Sequence, residues 1–473
     1  MSQAEKEKEN DRDKQMTHIA GTFLIDANGS FLNGAGLGSG DYENYTIVKT
    51  FEDGRSEKGQ GTYRTPFISA ASWRRWLRDT LIEETGWPAS LKRALDRNEK
   101  GNTGKIGTER NPVEYVEDDL FGYMYPISKK TKQIMKLKKE QLAQSQAQTQ
   151  SQTQEAVIAI EETPEVEEKA DTDEVEAEES ATISDTTRGL FRTSPLSTSI
   201  LVGLRKFGWE GKDQNYVHLV DGNAVPYKTQ FMNTALQGVF CLHYSRIGVF
   251  TNIGDKLELD DDMINKYKQS EAIEEITENR PEFYGLERDE DTEAIAEAVD
   301  KDKKKKGKPK KYYQLLKKHG RVFRLKDLQQ IRDERTAALL KALSHLRGGA
   351  KQAAFGTDVS PKVLIMARLT NGNPIFNTIF EDSPLHESST RGKNVVLNIK
   401  ALQEIIRDYA DRIIPPVIIG IRTGYLQNES DINKLHDTVV NEVKIQVDTP
   451  IRAAEIMTDL LPSNENKLTP KQQ

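Results

Sequence analysis

The chain has 473 residues, of which 36% are hydrophobic and 30% charged, with a net charge of −7 and one cysteine, Cys241. A single cysteine excludes an intrachain disulfide and a multi-cysteine zinc site, so we expect a reducing, cytoplasmic location. No apolar run is long enough to span a membrane, and the charged N-terminus lacks the apolar core of a signal peptide, so we expect no membrane partner.

The charge is unevenly distributed along the chain. Residues 155–185 hold 13 acidic residues and one basic residue, and residues 255–300 hold 17 acidic and five basic residues. Without these two stretches, the remainder carries a net charge of +17. Blocks of like charge are usually solvated loops or tails, so the pattern predicts a basic folded part with acidic insertions.

The N-terminal part, residues 1–128, begins with a predicted strand at residues 17–26 and a glycine-rich loop at residues 33–40. This loop lacks the third glycine of a dinucleotide fingerprint and the Gly-Lys-Ser/Thr end of a P-loop. The residues that follow it, 45–51, are typical of a strand rather than a helix. We therefore predict a flexible loop or a backbone surface for a polymer rather than a nucleotide site.

Residues 69–86 predict a well-defined helix, with Ser69 as its N-cap and Gly86 at its end. Apolar residues recur at helical spacing and form a stripe that should face the core: Trp73, Trp76, Leu77 and Leu81.

Three arginines, Arg74, Arg75 and Arg78, lie in the first turns of this helix. Cations are better placed at a helix C-terminus, so their position indicates an external polyanion, and guanidinium forks match phosphate geometry. The alternative is a solvated helix face on which Arg75 pairs with Asp79. Arg78 has no acidic residue three or four positions ahead.

Residues 129–186 have a Gln-rich and then acidic composition, which predicts a disordered insertion. Order resumes in residues 187–254, where residues 204–231 predict a hairpin around the turn Asp221-Gly222-Asn223. Cations and aromatics interleave along this hairpin: Lys206, Trp209, Lys212, Tyr216, Tyr227, Lys228 and Phe231. Such a set can follow a nucleic-acid backbone and stack bases, although exposed aromatics near turns are common.

Residues 255–311 form a second predicted charged insertion, which we also expect to be largely disordered. Residues 312–473 complete the fold with amphipathic helices and short strands. After the first of these helices, Gly348 and Gly349 free the backbone for positive φ, and Lys351 and Gln352 could meet a phosphate or a base edge. A glycine C-cap followed by a solvated lysine is an equally good interpretation of this segment.

Alternating short strands and helices predict an α+β, ferredoxin-like fold in which sheet and helices are segregated. The seven histidines are scattered, and neither an HExxH string nor a GxSxG elbow occurs. We therefore expect no metal, no cofactor and no catalytic residue.

Five segments, in this order, resemble the backbone subunit of type I CRISPR Cascade complexes, the Cas-seven family in its DevR-like branch typical of type I-B systems. They are THIAGTFLIDANGSFLNGAG, ISAASWRRWLRDTL, RTSPLSTSILVGL, ALQGVFCLHYSRIGVF and GGAKQAAFGTDVSPKVLIMARL. The resemblance implies a modified RRM-like palm with helical fingers and a protruding hairpin thumb. It also implies a non-catalytic subunit that polymerises along a CRISPR RNA and supports pairing with target DNA, each thumb wedging the guide–target duplex.

Carried onto this chain, the resemblance implies two groups of site residues. The predicted RNA contacts are Ser72, Arg74, Arg75, Arg78, Asn33, Lys49, Gly348, Gly349, Lys351 and Gln352. The predicted thumb contacts are Lys206, Tyr216, Val220, Lys228 and Phe231. The implied partners are CRISPR RNA, target DNA, further copies of the chain, and the large, small and guide-end-capping subunits of the complex.

Two other functions stay open at this point. One is a metal-dependent ribonuclease like the type III backbone subunits, with Asp26 or Asp41 near the glycine-rich loop as the candidate residue. The other is an unrelated interaction protein with acidic loops, which would copurify without RNA.

Overall fold

The computed structural model describes residues 15–37, 45–55, 62–90, 108–125, 189–205, 208–217, 222, 225–253, 256–276, 320–382 and 395–463. The predicted insertion at residues 129–186 lies outside these ranges, as does most of the second one. Helices and strands alternate through the described ranges. The predicted α+β class is confirmed; the RRM-like details and the domain boundaries stay predictions.

The strands are numbered in chain order and are mostly short: β1 His18–Asp26, β2 Gly34–Leu37, β3 Tyr45–Val48, β4 Thr50–Arg55, β5 Thr62–Ile68, β6 Tyr123–Tyr125, β7 Leu190–Arg192, β8 Leu196–Thr198, β9 Leu201–Gly203, β10 Glu210–Val217, β11 Val225–Met232, β12 Ala235–Leu242, β13 Val249–Ile253, β14 Lys256–Leu257, β15 Ile273–Ile276, β16 Gly320–Leu325, β17 Val363–Leu369, β18 Phe380–Asp382, β19 Val395–Leu397, β20 Ile413–Ile421, β21 Val439–Val440 and β22 Val443–Asp448. The helices are α1 Ala70–Thr85, α2 Val116–Phe121, α3 Asp261–Gln269, α4 Leu328–Ser344, α5 Gln352–Phe355, α6 Ile399–Asp408, α7 Glu429–Asn433 and α8 Pro450–Asp459.

A ten-stranded sheet forms the centre of the protein. Its order is β21-β22-β20-β17-β1-β12-β9-β5-β4, and β8 also pairs with β12. Strand β1 is antiparallel to both of its neighbours, β12 and β17. Its interior residues are all buried, as expected for a strand that is covered on both faces.

Helices cover both faces of the central sheet. Because side chains alternate along a strand, Ile19 and Phe23 of β1 face one layer, whereas Ala20 and Leu24 face the other. The first layer contains the apolar residues of α1, α4 and α8, and the second contains those of α6 and α7 with the β18–β19 ribbon.

A four-stranded sheet of order β10-β11-β3-β2, called the small sheet, contains both strands of the predicted hairpin. Strands β10 and β11 pair without interruption from Glu210 opposite Met232 to Val217 opposite Val225. The strand pairing of the predicted hairpin is therefore confirmed; its turn lies largely outside the described residues, and its assignment as a thumb stays a prediction. Strand β3 joins β11 in parallel.

A third sheet, of order β15-β16-β13-β14-β7-β6, packs with α3 around a separate small core. This core includes Ile264 and Tyr267 of α3, so residues 256–276 are ordered, and the prediction of a disordered insertion is wrong for them. Asp260, at the start of the acidic run, is the N-cap of α3 and accepts a hydrogen bond from the Met263 amide at 2.7 Å. The high acidic content hid the amphipathic spacing of this helix.

A buried ionic network joins this third sheet to the helices of the first layer. The fully buried Arg192 guanidinium of β7 pairs with Asp119 of α2 and, at 2.7 Å, with Glu258. Asp119 also pairs with Arg335 of α4. Buried charges need such mutual pairing, because an unpartnered ion is costly to desolvate. No helix in the described part of the chain is long and apolar enough to cross a membrane.

Candidate nucleic-acid interface

Helix α1 has the capping and the apolar stripe that the sequence predicts. The Ser69 hydroxyl accepts a hydrogen bond from the Ser72 amide at 3.2 Å, and Gly86 ends the helix in the left-handed region with φ 66°. All four stripe residues are buried in the core of the first layer. Ser72, a predicted RNA contact, is half-buried, and its hydroxyl lies 2.7 Å from the Ser69 hydroxyl. Its observed role is therefore to support the helix start.

The Arg74 guanidinium is directed into the protein, which corrects the expectation that it faces an external polyanion. It donates to the main-chain oxygens of Leu196 at 2.7 Å and Phe121 at 2.9 Å, and to the hydroxyls of Thr198 and Ser194. Burial, and then the charge of Arg78, lower its pKa to about 10. The guanidinium N–H groups that we expected to bind phosphate are therefore used within the protein.

Arg75 and Arg78 also have partners within the chain. Arg75 pairs with Asp79 at 2.8 Å on the exposed helix surface, which is the alternative that the sequence left open. Arg78 lies 3.6 Å from the buried Glu117 carboxylate and over the Phe121 ring. Burial lowers the pKa of Arg78, although the charge of Glu117 opposes this shift. The exposed surface pair of Arg75 is the one that a phosphate could displace at little cost.

The loop after α4 lies against α1 through two glycines. Gly348 has φ 144°, and a Cβ atom there would lie 2.3 Å from Cγ of Trp76. Gly349 has φ 106°, and a Cβ atom there would lie 2.5 Å from Leu32. Helix α4 ends at the C-cap His345, so these glycines are not its cap. Their observed role is to allow close approach of the loop to α1 and to the residues before β2.

Lys351 follows this loop and reaches the small sheet. Its own backbone is left-handed with φ 51°, and its ammonium donates to the Thr229 hydroxyl of β11 at 2.9 Å. The same ammonium lies 4.9 Å above the centre of the Phe31 ring. Gln352 donates from its side chain to the Gly348 oxygen, which closes the loop. Lys351 is thus exposed but held at one place on the sheet.

Asn33 and Lys49 lie beside the same sheet. The Lys49 amide donates to the Asn33 oxygen at 3.3 Å, and the neighbouring Val48 amide donates to the Gln230 side chain of β11 at 2.8 Å. The structure therefore brings together Asn33, Lys49 and the loop that carries Lys351, although these residues are far apart in the chain.

The hairpin carries its cations and its aromatic residues in a defined order. Lys228 of β11 lies opposite Tyr45 of β3, with its ammonium 4.9 Å from the ring centre, and the Lys212 ammonium lies 5.9 Å from the same ring. Tyr216 near the tip is 58% exposed. Residues directly opposite one another share a face of the sheet, so Lys228 and Tyr45 form one mixed surface.

Phe231 has a different place from the other predicted thumb residues. It lies on the opposite face from Lys228, and its ring packs at 6.0 Å from that of Phe355. It also covers Gly211, where a Cβ atom would lie 2.1 Å from the ring. Phe231 thus packs at the base of the hairpin, and its predicted duplex contact stays a prediction. Lys206 and Val220 lie outside the described residues.

Several cations without a carboxylate partner among the described residues lie around the small sheet. Most lysines and arginines in the described ranges are paired with carboxylates or bonded to main-chain oxygens. Lys49, Lys228 and Lys351 have no carboxylate at salt-bridge distance there. Neither has Arg64 of β5, which is not among the predicted site residues. Elsewhere in the described ranges, the exposed cations without such a partner are Lys256, Lys400, Arg407 and Arg422.

Asp26, one of the two candidates for a metal-dependent ribonuclease, lies in a turn and belongs to no metal-binding group among the described residues. Asp26 accepts hydrogen bonds from the amide and side chain of Asn28, at 3.1 and 2.6 Å, in the turn after β1. Asp41 lies outside the described residues. Within the described ranges, no group of three or more His, Cys, Asp or Glu residues is arranged to hold a metal ion.

Comparisons with known proteins give weak likeness only. No family model matches the chain, and no curated protein matches it. The chain is similar to a chain of a CRISPR RNA-guided surveillance complex, with 10% identity and a TM-score of 0.37 over 93% of this chain and 98% of that one. A chain of a pre-nicking CRISPR RNA-guided surveillance complex gives 11% identity and a TM-score of 0.38 over 93% and 99%.

A chain of the Type III-B Cmr-beta complex bound to cognate target RNA gives 7% identity and a TM-score of 0.22, over 52% of this chain and 54% of that one. All three TM-scores are too low for the likeness to carry an argument about fold or function. The family resemblance of the five sequence segments, its branch and its subtype therefore stay predictions.

Proposed function

We propose that this protein is a non-catalytic subunit of a type I, I-B-like CRISPR surveillance complex that binds the guide RNA through its sugar–phosphate backbone. Several copies bind along one guide, together with the large, small and guide-end-capping subunits, and the array supports pairing of guide with target DNA. The proposal draws on the five sequence segments that resemble the Cas-seven family and on their order along the chain. The observation that carries it is the group of cations around the small sheet that have no carboxylate partner among the described residues.

Lys49, Lys228 and Lys351 suit contact with phosphates of any sequence. Each is an exposed or half-buried ammonium whose charge no described carboxylate neutralises. Phosphate contacts position a nucleic acid without reading its bases, which a subunit that must accept any guide requires. In RNA-guided complexes base pairing then reads the target, so the protein has no need of base-specific contacts.

The aromatic residues on the hairpin add a surface for unpaired bases. Tyr45 lies between two lysines, and Tyr216 and Tyr227 are 58% and 40% exposed. Rings of this kind stack on any base, and neighbouring lysines follow the backbone. The hairpin is the element for which we propose the thumb role, with Lys228 and Tyr216 as its duplex contacts.

In this proposal, helix α1 acts mainly through the loop that it supports. Trp76 contacts Gly348, and the Thr80 hydroxyl accepts a hydrogen bond from the Arg347 amide at 3.1 Å. These contacts hold the loop from which Lys351 extends. Among the three arginines of the helix, Arg75 is the one we assign to RNA, because its guanidinium is exposed and its partner Asp79 lies on the surface.

The test is copurification with a guide RNA. The protein is coexpressed with a CRISPR RNA, and the ratio of absorbance at 260 and 280 nm is measured after size-exclusion chromatography. We expect the wild type to elute with RNA and the variant K49A/K228A/K351A to elute without it. The matched control is K256A/K400A, which removes two lysines that also lack a described carboxylate partner but lie away from the small sheet. RNA-free wild-type protein would contradict the proposal.

The absence of catalysis is a proposal in its own right and has its own test. The RNA-bound protein is incubated with complementary RNA and magnesium, and the products are separated on a sequencing gel. We expect intact target RNA. Regularly spaced cuts that disappear in Asp26→Ala or Asp41→Ala would establish the ribonuclease alternative.

A further inference from the structure

Arg64 of β5 presents an unused guanidinium fork at the surface. Its Nε donates to the Thr50 hydroxyl at 3.1 Å, and neither terminal nitrogen has an acceptor among the described residues. Glu52 lies opposite Arg64 in the β4–β5 register, yet the guanidinium bonds to Thr50 instead of pairing with this carboxylate. The exposed side chain is therefore held through Nε, while both terminal NH₂ groups are available for bidentate phosphate binding.

The backbone of Arg64 is tied to the hairpin of the small sheet. The buried Trp209 indole, just before β10, donates to the Arg64 oxygen at 2.7 Å. The Trp209 oxygen in turn accepts a hydrogen bond from the Asn233 amide, just after β11, at 2.7 Å. Trp209 thus connects the start of β10, the end of β11 and the main chain of Arg64. These bonds fix the position of β5 relative to the β10–β11 hairpin.

The chain also links Arg64 to the cations of the small sheet. Its Nε contacts Thr50, which directly follows Lys49, and the preceding Val48 amide bonds to Gln230 of β11. The next residue of β11 towards the tip, Thr229, holds the Lys351 ammonium. A continuous series of contacts thus runs from Lys351 to Arg64.

We propose that the β4–β5 hairpin is a second RNA-binding arm of this protein and that Arg64 is its phosphate contact. This inference rests on the proposed RNA binding, and it adds an element that the sequence resemblance does not assign. The ligand is the sugar–phosphate backbone of single-stranded RNA that continues past the small sheet. Glu52 opposes the contact electrostatically and sets its strength.

The experiment measures the affinity of full-length protein for a fluorescein-labelled, mixed-sequence single-stranded RNA by fluorescence anisotropy across a series of salt concentrations. We expect Arg64→Ala to weaken binding about tenfold, the loss expected for one charge-assisted contact. The slope of log affinity against log salt should fall by about 0.7, the value for one phosphate on a single strand. Arg64→Lys should keep the slope and recover part of the affinity, and Glu52→Gln should strengthen binding.

Arg407→Ala is the matched control, since Arg407 on α6 is also exposed and has no carboxylate partner among the described residues. It should leave affinity and slope unchanged. Thermal denaturation verifies folding, and Arg64→Gln, which keeps a polar side chain of intermediate length, replaces Arg64→Ala if the latter melts early. If both Arg64 variants bind as wild type while K49A/K228A/K351A does not, the second arm is refuted and the proposed function stands. If wild-type protein fails to bind the RNA, or binds single-stranded DNA alone, both fall.

Discussion

The guanidinium of Arg74 joins separate segments of the fold, because it reaches from α1 to main-chain oxygens at Phe121 and Leu196. A cation early in a helix is unfavourable for the helix dipole, and here the cost is offset by acceptors from outside the helix. Charge placement in a helix therefore indicates a partner but does not decide whether the partner is internal or external.

The first prediction separates Arg74 from Arg75. Arg74→Ala leaves buried carbonyl oxygens without donors, so we expect the free energy of unfolding to fall by about 3 kcal/mol. Arg75→Ala removes an exposed ion pair and should cost less than about 1 kcal/mol. Urea denaturation monitored by circular dichroism measures both. Equal stability of the two variants would contradict the structural role of Arg74, and replacing all three arginines together should not leave the fold intact.

Two histidines stack in a partly buried site at the start of β1. The rings of His18 and His243 lie 4.2 Å apart, and the Thr17 hydroxyl lies 2.7 Å from Nδ1 of His18. Burial lowers the pKa of His18 to about 4. Burial, with smaller effects from the charges of His18, Arg246 and Arg332, lowers the pKa of His243 to about 3. Both rings are therefore neutral in the folded protein at neutral pH.

The second prediction is a loss of stability in acid that this pair causes. Both folded pKa values lie below the ordinary value of 6.5, so the unfolded chain takes up protons first. The contribution of the neutral histidine pair to the free energy of unfolding is fully present above pH 6.5 and is lost as the pH falls towards 4. Urea denaturation at several pH values should show this loss. The variant H18F/H243F should lose less stability between pH 6.5 and pH 4 than the wild type. His436→Gln is the control: the His436 side chain is 48% exposed, so this variant should lose as much stability as the wild type.

At the scale of elements, the loop between α4 and α5 positions the cation of Lys351. Gly348 packs on Trp76, the Ala350 amide bonds to the Leu32 oxygen at 3.0 Å, and Phe355 of α5 stacks near Phe31. The loop is thus held from three sides. A lysine kept in place in this way loses less side-chain entropy on meeting a phosphate than a freely rotating one.

The third prediction compares two glycines of this region. Gly348→Ala places a Cβ atom 2.3 Å from Trp76, so the loop must move, and we expect a loss of about 2–3 kcal/mol in stability. Gly356 also has positive φ, at 56°, but nothing lies within 4 Å of its added Cβ. Gly356→Ala should therefore cost only the backbone strain, about 1 kcal/mol. Thermal denaturation ranks the two.

The same pair of variants tests the loop as a support for RNA binding. Displacement of the loop in Gly348→Ala should weaken binding even where the protein is still folded, because Lys351 moves with it. Gly356→Ala should bind as wild type. The opposite order of affinities would show that the loop does not position Lys351 for RNA.

At the scale of the whole molecule, the overall net charge of −7 conceals how the charges are arranged. Outside the small sheet, the described surface is largely ion-paired, as on the exposed face of β15 and β16, where Glu274 and Glu275 pair with Arg324 and Arg321. Such pairs contribute little field beyond their immediate surroundings. Within the described ranges, the positive potential available to a polyanion therefore comes from the cations that have no carboxylate partner there.

The fourth prediction is the salt dependence that this arrangement implies. Three phosphate contacts by Lys49, Lys228 and Lys351 should give log affinity for single-stranded RNA a slope of about −2 against log salt, or steeper with further contacts. Affinity should be nearly independent of RNA sequence. Fluorescence anisotropy with oligonucleotides of different composition measures both properties. A flat salt response would contradict backbone binding.

Local signals in the sequence were sufficient to predict individual elements such as α1 and β1. Ser69, the apolar stripe and Gly86 predicted α1 to within a residue at each end, because caps and helical periodicity are properties of neighbouring residues. The strand predicted at residues 17–26 agrees with β1 for the same reason. The prediction failed at α3, which was expected to be disordered. Its sequence is rich in charged residues, and only two residues, Ile264 and Tyr267, are buried against the core.

Only the tertiary structure decided which partner each charge has. The acceptors of Arg74 lie more than 40 residues away in the chain, and Lys49, Lys228 and Lys351 meet around one sheet from three distant segments. Arg64 stands out for the same reason, since its guanidinium bonds to Thr50 and not to Glu52, which lies opposite it in the β4–β5 register. Helical or strand periodicity depends on neighbours in sequence, whereas the pairing of a charge depends on what folding brings within a few ångströms of it.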